Sequence, residues 1–212
     1  MKKGILFDLD GTLWDACDAI AASWNEYLER FALDIHIHLT EDDLRRACGL
    51  TMTAIGDLLF GSVEEKRRRE ITEGCCVYEV EYLKTHGGKL YPQMAAVLEA
   101  LSKNYHLYIV SNCQTGYVEN FLAWSGMDRW IEDYEYFERT GKPKADNIRI
   151  LLDRQMLDWA VSVGDTQGDC SSAVSAGIPF IHATYGFGTV DGDFPKLERL
   201  EDLPDVLEEM QK

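Results

Sequence analysis

Apolar residues along this chain gather into short runs, and several runs end on a polar residue with chemistry of its own. The opening stretch GILFDLDGTLWD, residues 4–15, is a strand-length apolar run closed by Asp8 and, two positions on, by Asp10-Gly11. From about residue 16 to 86 the period lengthens. Ile20, Trp24, Leu28 and Phe31 recur at helical spacing, EDDLRRACGLTMTAIGDLLFG reads as helix interrupted near Gly49, and VEEKRRREITEGCCVYEVEYLKTH as one long helix. Gly87, Gly88 and Pro92 then punctuate the chain. Beyond them strand and helix patterns alternate. YHLYIVSN, YEYF, AVSVGDT and FIHAT read as strands, and MAAVLEALSKN, GYVENFLAWSG, ADNIRILLDRQ, SSAVSAG and PDVLEEMQ as helices. This alternation predicts an α/β fold with a doubly wound parallel sheet to which the first strand also belongs. The division expected is a core of residues 1–15 and 87–212 with 16–86 inserted as a helical module.

Composition narrows the class. With 46% hydrophobic and 27% charged residues, the 212-residue chain has the balance of a globular protein and can bury a substantial core. A formal charge of −16 argues against a nucleic-acid backbone or an anionic membrane face as partner. A small anionic substrate stays open, because a metal and a few local cations reverse the sign inside one pocket. The six cysteines lack C-x-x-C spacing, and Met1-Lys2-Lys3 runs straight into the first strand without a signal-like segment. Reduced thiols and a cytoplasmic location are expected. Arg67-Arg68-Arg69 stands beside Glu64, Glu65 and Glu70 and reads as a solvated helix face.

The candidate chemistry lies where the strands end, the side of an open α/β sheet at which ligands sit. Asp8 and Asp10 close the first strand, Ser111 and Asn112 close YHLYIVSN, and Asp165 and Asp169 follow AVSVG. RTGKPKADN brings Lys142 ahead of Pro143, with Lys144 nearby. Taken singly, each has a structural reading: Asp165-Thr166 as a helix start, Asp169 as a first-turn acid, Ser111-Asn112 as a turn. Together they place four acids, a hydroxyl and one or two amines on one rim. Acids so crowded require a hard divalent cation with oxygen ligands, most simply Mg2+.

These residues resemble the motifs of the haloacid dehalogenase-like superfamily over nearly the whole chain. Asp8-Leu9-Asp10-Gly11-Thr12 is similar to its first motif, Ser111-Asn112 to its second, Lys142-Pro143 to its third and Gly164-Asp165-Thr166-x-x-Asp169 to its fourth. The third departs from the common Lys-Pro-x-Pro-Asp form, reading Lys142-Pro143-Lys144-Ala145-Asp146, so the working amine is Lys142 or Lys144. The resemblance implies a phosphatase with Asp8 as nucleophile and Asp10 as general acid and base. It implies Ser111 and Lys142 on the transferring oxygens, with backbone N–H groups of Leu9 and Asn112 assisting. Mg2+ would be held by Asp8, the Asp10 carbonyl and Asp165, with Asp169 as an additional or outer acid. An acid at Asp10 favours phosphate esters over halides, which leave without a proton.

Residues 16–86 resemble the family's small helical cap, which closes over the site. The ACGLTMTA turn resembles its specificity loop and makes Arg45, Arg46, Thr51 and Thr53 candidates to touch the leaving group. The function expected is Mg2+-dependent hydrolysis of a small phosphorylated metabolite. The alternatives are a phosphosugar mutase of the β-phosphoglucomutase type, a phosphonate-cleaving enzyme using Lys66 or Lys84, and a binding module without catalysis.

Overall fold

A computed structural model describes residues 1–210. The chain runs β1 (Lys3–Phe7), β2 (Trp14–Asp15), α1 (Cys17–Phe31), α2 (Glu41–Ala47), α3 (Met52–Leu59), α4 (Glu65–His86), β3 (Lys89–Leu90), α5 (Met94–Leu101) and β4 (His106–Ser111). It continues through α6 (Tyr117–Ser125), β5 (Ile131–Tyr136), α7 (Phe137–Thr140), α8 (Lys144–Gln155), β6 (Trp159–Gly164), α9 (Gln167–Ala176), β7 (Phe180–Ala183), β8 (Lys196–Leu197) and α10 (Leu203–Glu209). The expected last helix is present; its predicted end at Gln211 lies outside the described residues.

Six strands form one sheet in the order β5-β4-β1-β6-β7-β8 with every pairing parallel. Strand β1 sits inside it, Phe7 standing level with Ile109 on one side and Val163 on the other. Because β1 is covered on both faces, its alternate side chains all find apolar neighbours. Ile5 and Phe7 join the larger core, and Leu6 packs with Tyr108, Val110, Ile148 and Leu151 on the opposite face. That is why β1 reads as an unbroken apolar run.

Helices α1–α4 occupy the chain between two short strands, β2 and β3, which pair antiparallel through Trp14–Leu90 and Asp15–Lys89. The expected interruption at Gly49 falls between α2 and α3, where Thr51 caps α3 through Ala54 N–H. Helix α4 ends at Gly87, whose φ of 59° a side chain would strain and whose Cβ would meet the Trp124 ring at 2.0 Å. All six cysteines are free, and among the described residues no helix is long and apolar enough to cross a membrane.

Candidate active site

The end of β1 is shaped to bring carboxylates together. The Asp8 N–H continues the sheet by donating to the Val163 carbonyl at 2.8 Å, and the chain then turns through Gly11 at φ +81°. A Cβ at Gly11 would stand 2.3 Å from Asp165 Oδ2, and one at Gly186 would stand 2.3 Å from Asp165 Cβ. Both glycines are therefore required by the close approach of two loops to Asp165. The Phe187 N–H donates to Asp165 Oδ2 at 2.7 Å, while Oδ1 is buried with no partner among the described residues.

Asp8, Asp165 and Asp169 are all buried, and each offers an oxygen within 4.8 Å of the others. Among the described residues, one side-chain cation reaches them. The Lys144 ammonium donates to Asp8 Oδ1 and, at 2.5 Å, to Asp169 Oδ1. Burial opposes its charge, but Asp169 and Asp8 outweigh that and hold its pKa above the ordinary lysine value. Burial likewise pushes Asp8 up to about 7 despite Lys144, and Asp165 up to about 7 with Asp169 adding repulsion. Asp169 goes the other way: burial is overcome by Lys144 and by Thr166, and its pKa falls below the usual range. Its Oδ2 accepts from the Thr166 N–H at 3.0 Å in a capping box at the start of α9, so it serves as helix cap and site acid at once. Three buried carboxylates against one ammonium leave negative charge uncompensated. The unpartnered Asp165 Oδ1 is where a further cation fits this donor set.

Asp10 stands apart from that cluster and is differently held. Its Oδ1 accepts from Tyr117 Oη at 2.6 Å and from Trp14 Nε1 at 3.0 Å, and the two rings pack edge to face. Burial raises it to about 7, with the Tyr117 hydrogen bond opposing the rise. A carboxyl near neutrality is matched to taking and giving a proton.

Asp8, Asp10, Ser111 and Asn112 line one cavity of about 50 Å³ under α1–α4, roofed by Trp24, Leu44, Leu50, Met52, Ile55 and Glu79. Leu9 is buried between the two acids, and the Asn112 side chain donates to the Gly49 carbonyl at 2.9 Å, tying the sheet edge to the α2–α3 turn. Seven sequence candidates lie elsewhere. Lys142 is exposed in the turn before α8, where its N–H donates to Thr140 Oγ1 at 3.1 Å; Lys144, the first residue of α8, is the amine brought into the site. Arg45 is held by Asp15 at 2.8 Å and Glu41 at 2.6 Å, and Arg46 pairs with Asp43 at the surface. Thr51 is spent on its cap, and Thr53 lines a separate groove on the outer face of α3 and α4. Lys66 and Lys84 are exposed on α4. Sequence reasoning missed Trp14, Tyr117 and Glu79, whose polar tips reach the site from apolar or helical patterns that carry no signal of it.

Fold and site together define an α/β protein with a doubly wound parallel sheet and buried carboxylates at the carboxyl ends of its central strands. The chain belongs to the haloacid dehalogenase-like hydrolase family, which it matches over residues 5–183. It is 28% identical over 213 residues to a phosphoglycolate phosphatase of Aquifex aeolicus, with 96% of each chain covered. To one of Yersinia pestis it is 28% identical over 205 residues, covering 87% of this chain and 82% of the relative. Among solved structures, a predicted phosphoglycolate phosphatase from Haemophilus somnus 129pt superposes with a TM-score of 0.83 at 23% identity, over 97% of this chain and 98% of the other. The family's phosphatases are metal-dependent, and the buried acid cluster is where this chain can hold an ion.

Proposed function

We propose that the chain hydrolyses a small phosphate monoester, with Mg2+ as cofactor, through a phosphoryl group carried on Asp8. The observation that supports this most is the burial of Asp8 beside Lys144, Asp165 and Asp169, with Asp10 held separately by Tyr117 and Trp14. In the first step an Asp8 oxygen bonds to phosphorus as the ester oxygen departs and takes the Asp10 proton. In the second, Asp10 takes a proton from water as that water attacks the acyl phosphate, releasing inorganic phosphate and restoring Asp8. Lys144, in the role the resemblance implies for Lys142 or Lys144, binds charge on the transferring oxygens, as do Ser111 and the Leu9 and Asn112 N–H groups. Asp8, Asp165 and the Asp10 carbonyl, with Asp169 further out, would hold the Mg2+, which supplies positive charge against the phosphoryl oxygens when bound. Residues 16–86 act as the cap that covers this chemistry.

The test is release of inorganic phosphate from a panel of small phosphate esters, with Mg2+ and after exhaustive chelation. Turnover is expected only with the metal, restored by Mg2+. Turnover undiminished by chelation would contradict the metal's part, and absence of turnover for every ester would contradict the reading as a whole.

A further inference from the structure

The wall of the cavity facing away from the acid cluster carries a group that the hydrolytic steps leave unused. Glu79, on α4, is 4% exposed and lines the cavity with Asp8 and Asp10. Its Oε2 accepts from Trp24 Nε1 at 2.5 Å and its Oε1 from Gln114 Nε2 at 2.8 Å. Both partners are neutral, and each carboxylate oxygen keeps a second lone pair. Burial raises Glu79 to about 7, the two N–H donors working against the rise. A buried carboxylate fixed from two sides and lacking a cation is an acceptor awaiting a donor.

The cavity's charged residues are Asp8, Asp10 and Glu79, and none of the described residues lining it is basic. Lys144 is bonded to Asp8 and Asp169 and does not line the cavity, while Arg45 and Arg46 are engaged by Asp15, Glu41 and Asp43 outside it. A leaving group bearing its own carboxylate, as glycolate does, would meet Glu79 with no cation to receive it. Specificity arises as much from such a repulsive element as from an attractive one.

We propose that Glu79 selects the leaving group, accepting a hydrogen bond from a hydroxyl or ammonium on it and disfavouring a carboxylate. The substrates are then phosphate esters of small alcohols that carry a second donor and no acid. Trp24 and Gln114 are the positioning residues that hold Glu79 in place. This rests on the phosphatase reading above and narrows its substrate class.

The experiment compares kcat/KM with Mg2+ for glycerol 1-phosphate, O-phosphoethanolamine, 2-phosphoglycolate and p-nitrophenyl phosphate, the last needing neither donor nor leaving-group proton. At least one of the two donor-bearing esters is expected to exceed 2-phosphoglycolate by at least ~10-fold, and which of them leads tells hydroxyl from ammonium. In Glu79→Gln that ratio is expected to fall by at least ~10-fold, since the amide keeps the shape and loses the charge. If that variant does not fold, the wild-type ranking still decides. Hydrolysis of p-nitrophenyl phosphate with 2-phosphoglycolate ranked first would overturn this inference and leave the phosphatase reading standing. A ratio unmoved in a folded Glu79→Gln would overturn the assignment to Glu79. No turnover of any of the four would overturn both.

Discussion

Lys144 shows how one side chain ties stability to chemistry. Among the described residues its ammonium is the one side-chain cation bonded within this group of three buried acids, so it offsets their repulsion in the folded state and presents positive charge where a phosphoryl group would sit. Lys142, two residues earlier, is exposed and touches none of them. Lys144→Ala is therefore expected to lower kcat by at least ~10²-fold in a phosphate-release assay, and Lys142→Ala to change it by less than about twofold. Circular dichroism of both variants separates lost catalysis from lost fold. The reverse ranking would return the amine's role to Lys142. Spacing could not decide between the two lysines, because the choice depends on which one begins α8 and how that first turn faces β1, 136 residues away in sequence. The same limit hid Tyr117, which meets Asp10 across 107 residues. Asp8, Ser111 and Asp165 were legible for the opposite reason: each ends an apolar strand of its own, and parallel strands align their carboxyl ends.

At the scale of elements, the helices α1–α4 and the sheet meet over the cavity, with the two-residue strands β2 and β3 and Gly87 as the connections. The helical period of residues 16–86 was legible because each amphipathic stretch keeps its own apolar stripe. The pairing of β2 with β3 was not, since strands of two residues carry no periodicity. A cavity of about 50 Å³ is well below the size at which small-molecule sites usually operate, so the helices are expected to lift from the sheet edge when an ester enters. The Asn112 contact with Gly49 must then break and reform. Hydrogen exchange with and without orthovanadate, in the presence of Mg2+, checks this. Residues 48–51 and 87–90 are expected to gain protection when the phosphate analogue binds, and identical exchange in both states would contradict the opening motion.

Over the whole molecule, a chain of formal charge −16 is expected to act on a phosphate ester, and the arrangement of charge at the sheet edge reconciles the two. Lys144 and the proposed cation gather positive charge at Asp8, Asp165 and Asp169, whereas Glu79, Trp24 and Met52 give the cavity an acidic, largely apolar lining, so phosphate and leaving group would enter different environments. In the proposed mechanism Asp8 and Asp10 divide the labour. Intact mass spectrometry after rapid quenching with acetyl phosphate and Mg2+ measures that division directly. Asp10→Asn is expected to accumulate one phosphoryl group per chain, because transfer from so good a leaving group needs little protonation while hydrolysis of the acyl phosphate lacks its base; Asp8→Asn is expected to accumulate none. A phosphoryl adduct on Asp8→Asn, or an Asp10→Asn variant that turns over as fast as the wild type with no adduct, would contradict the account.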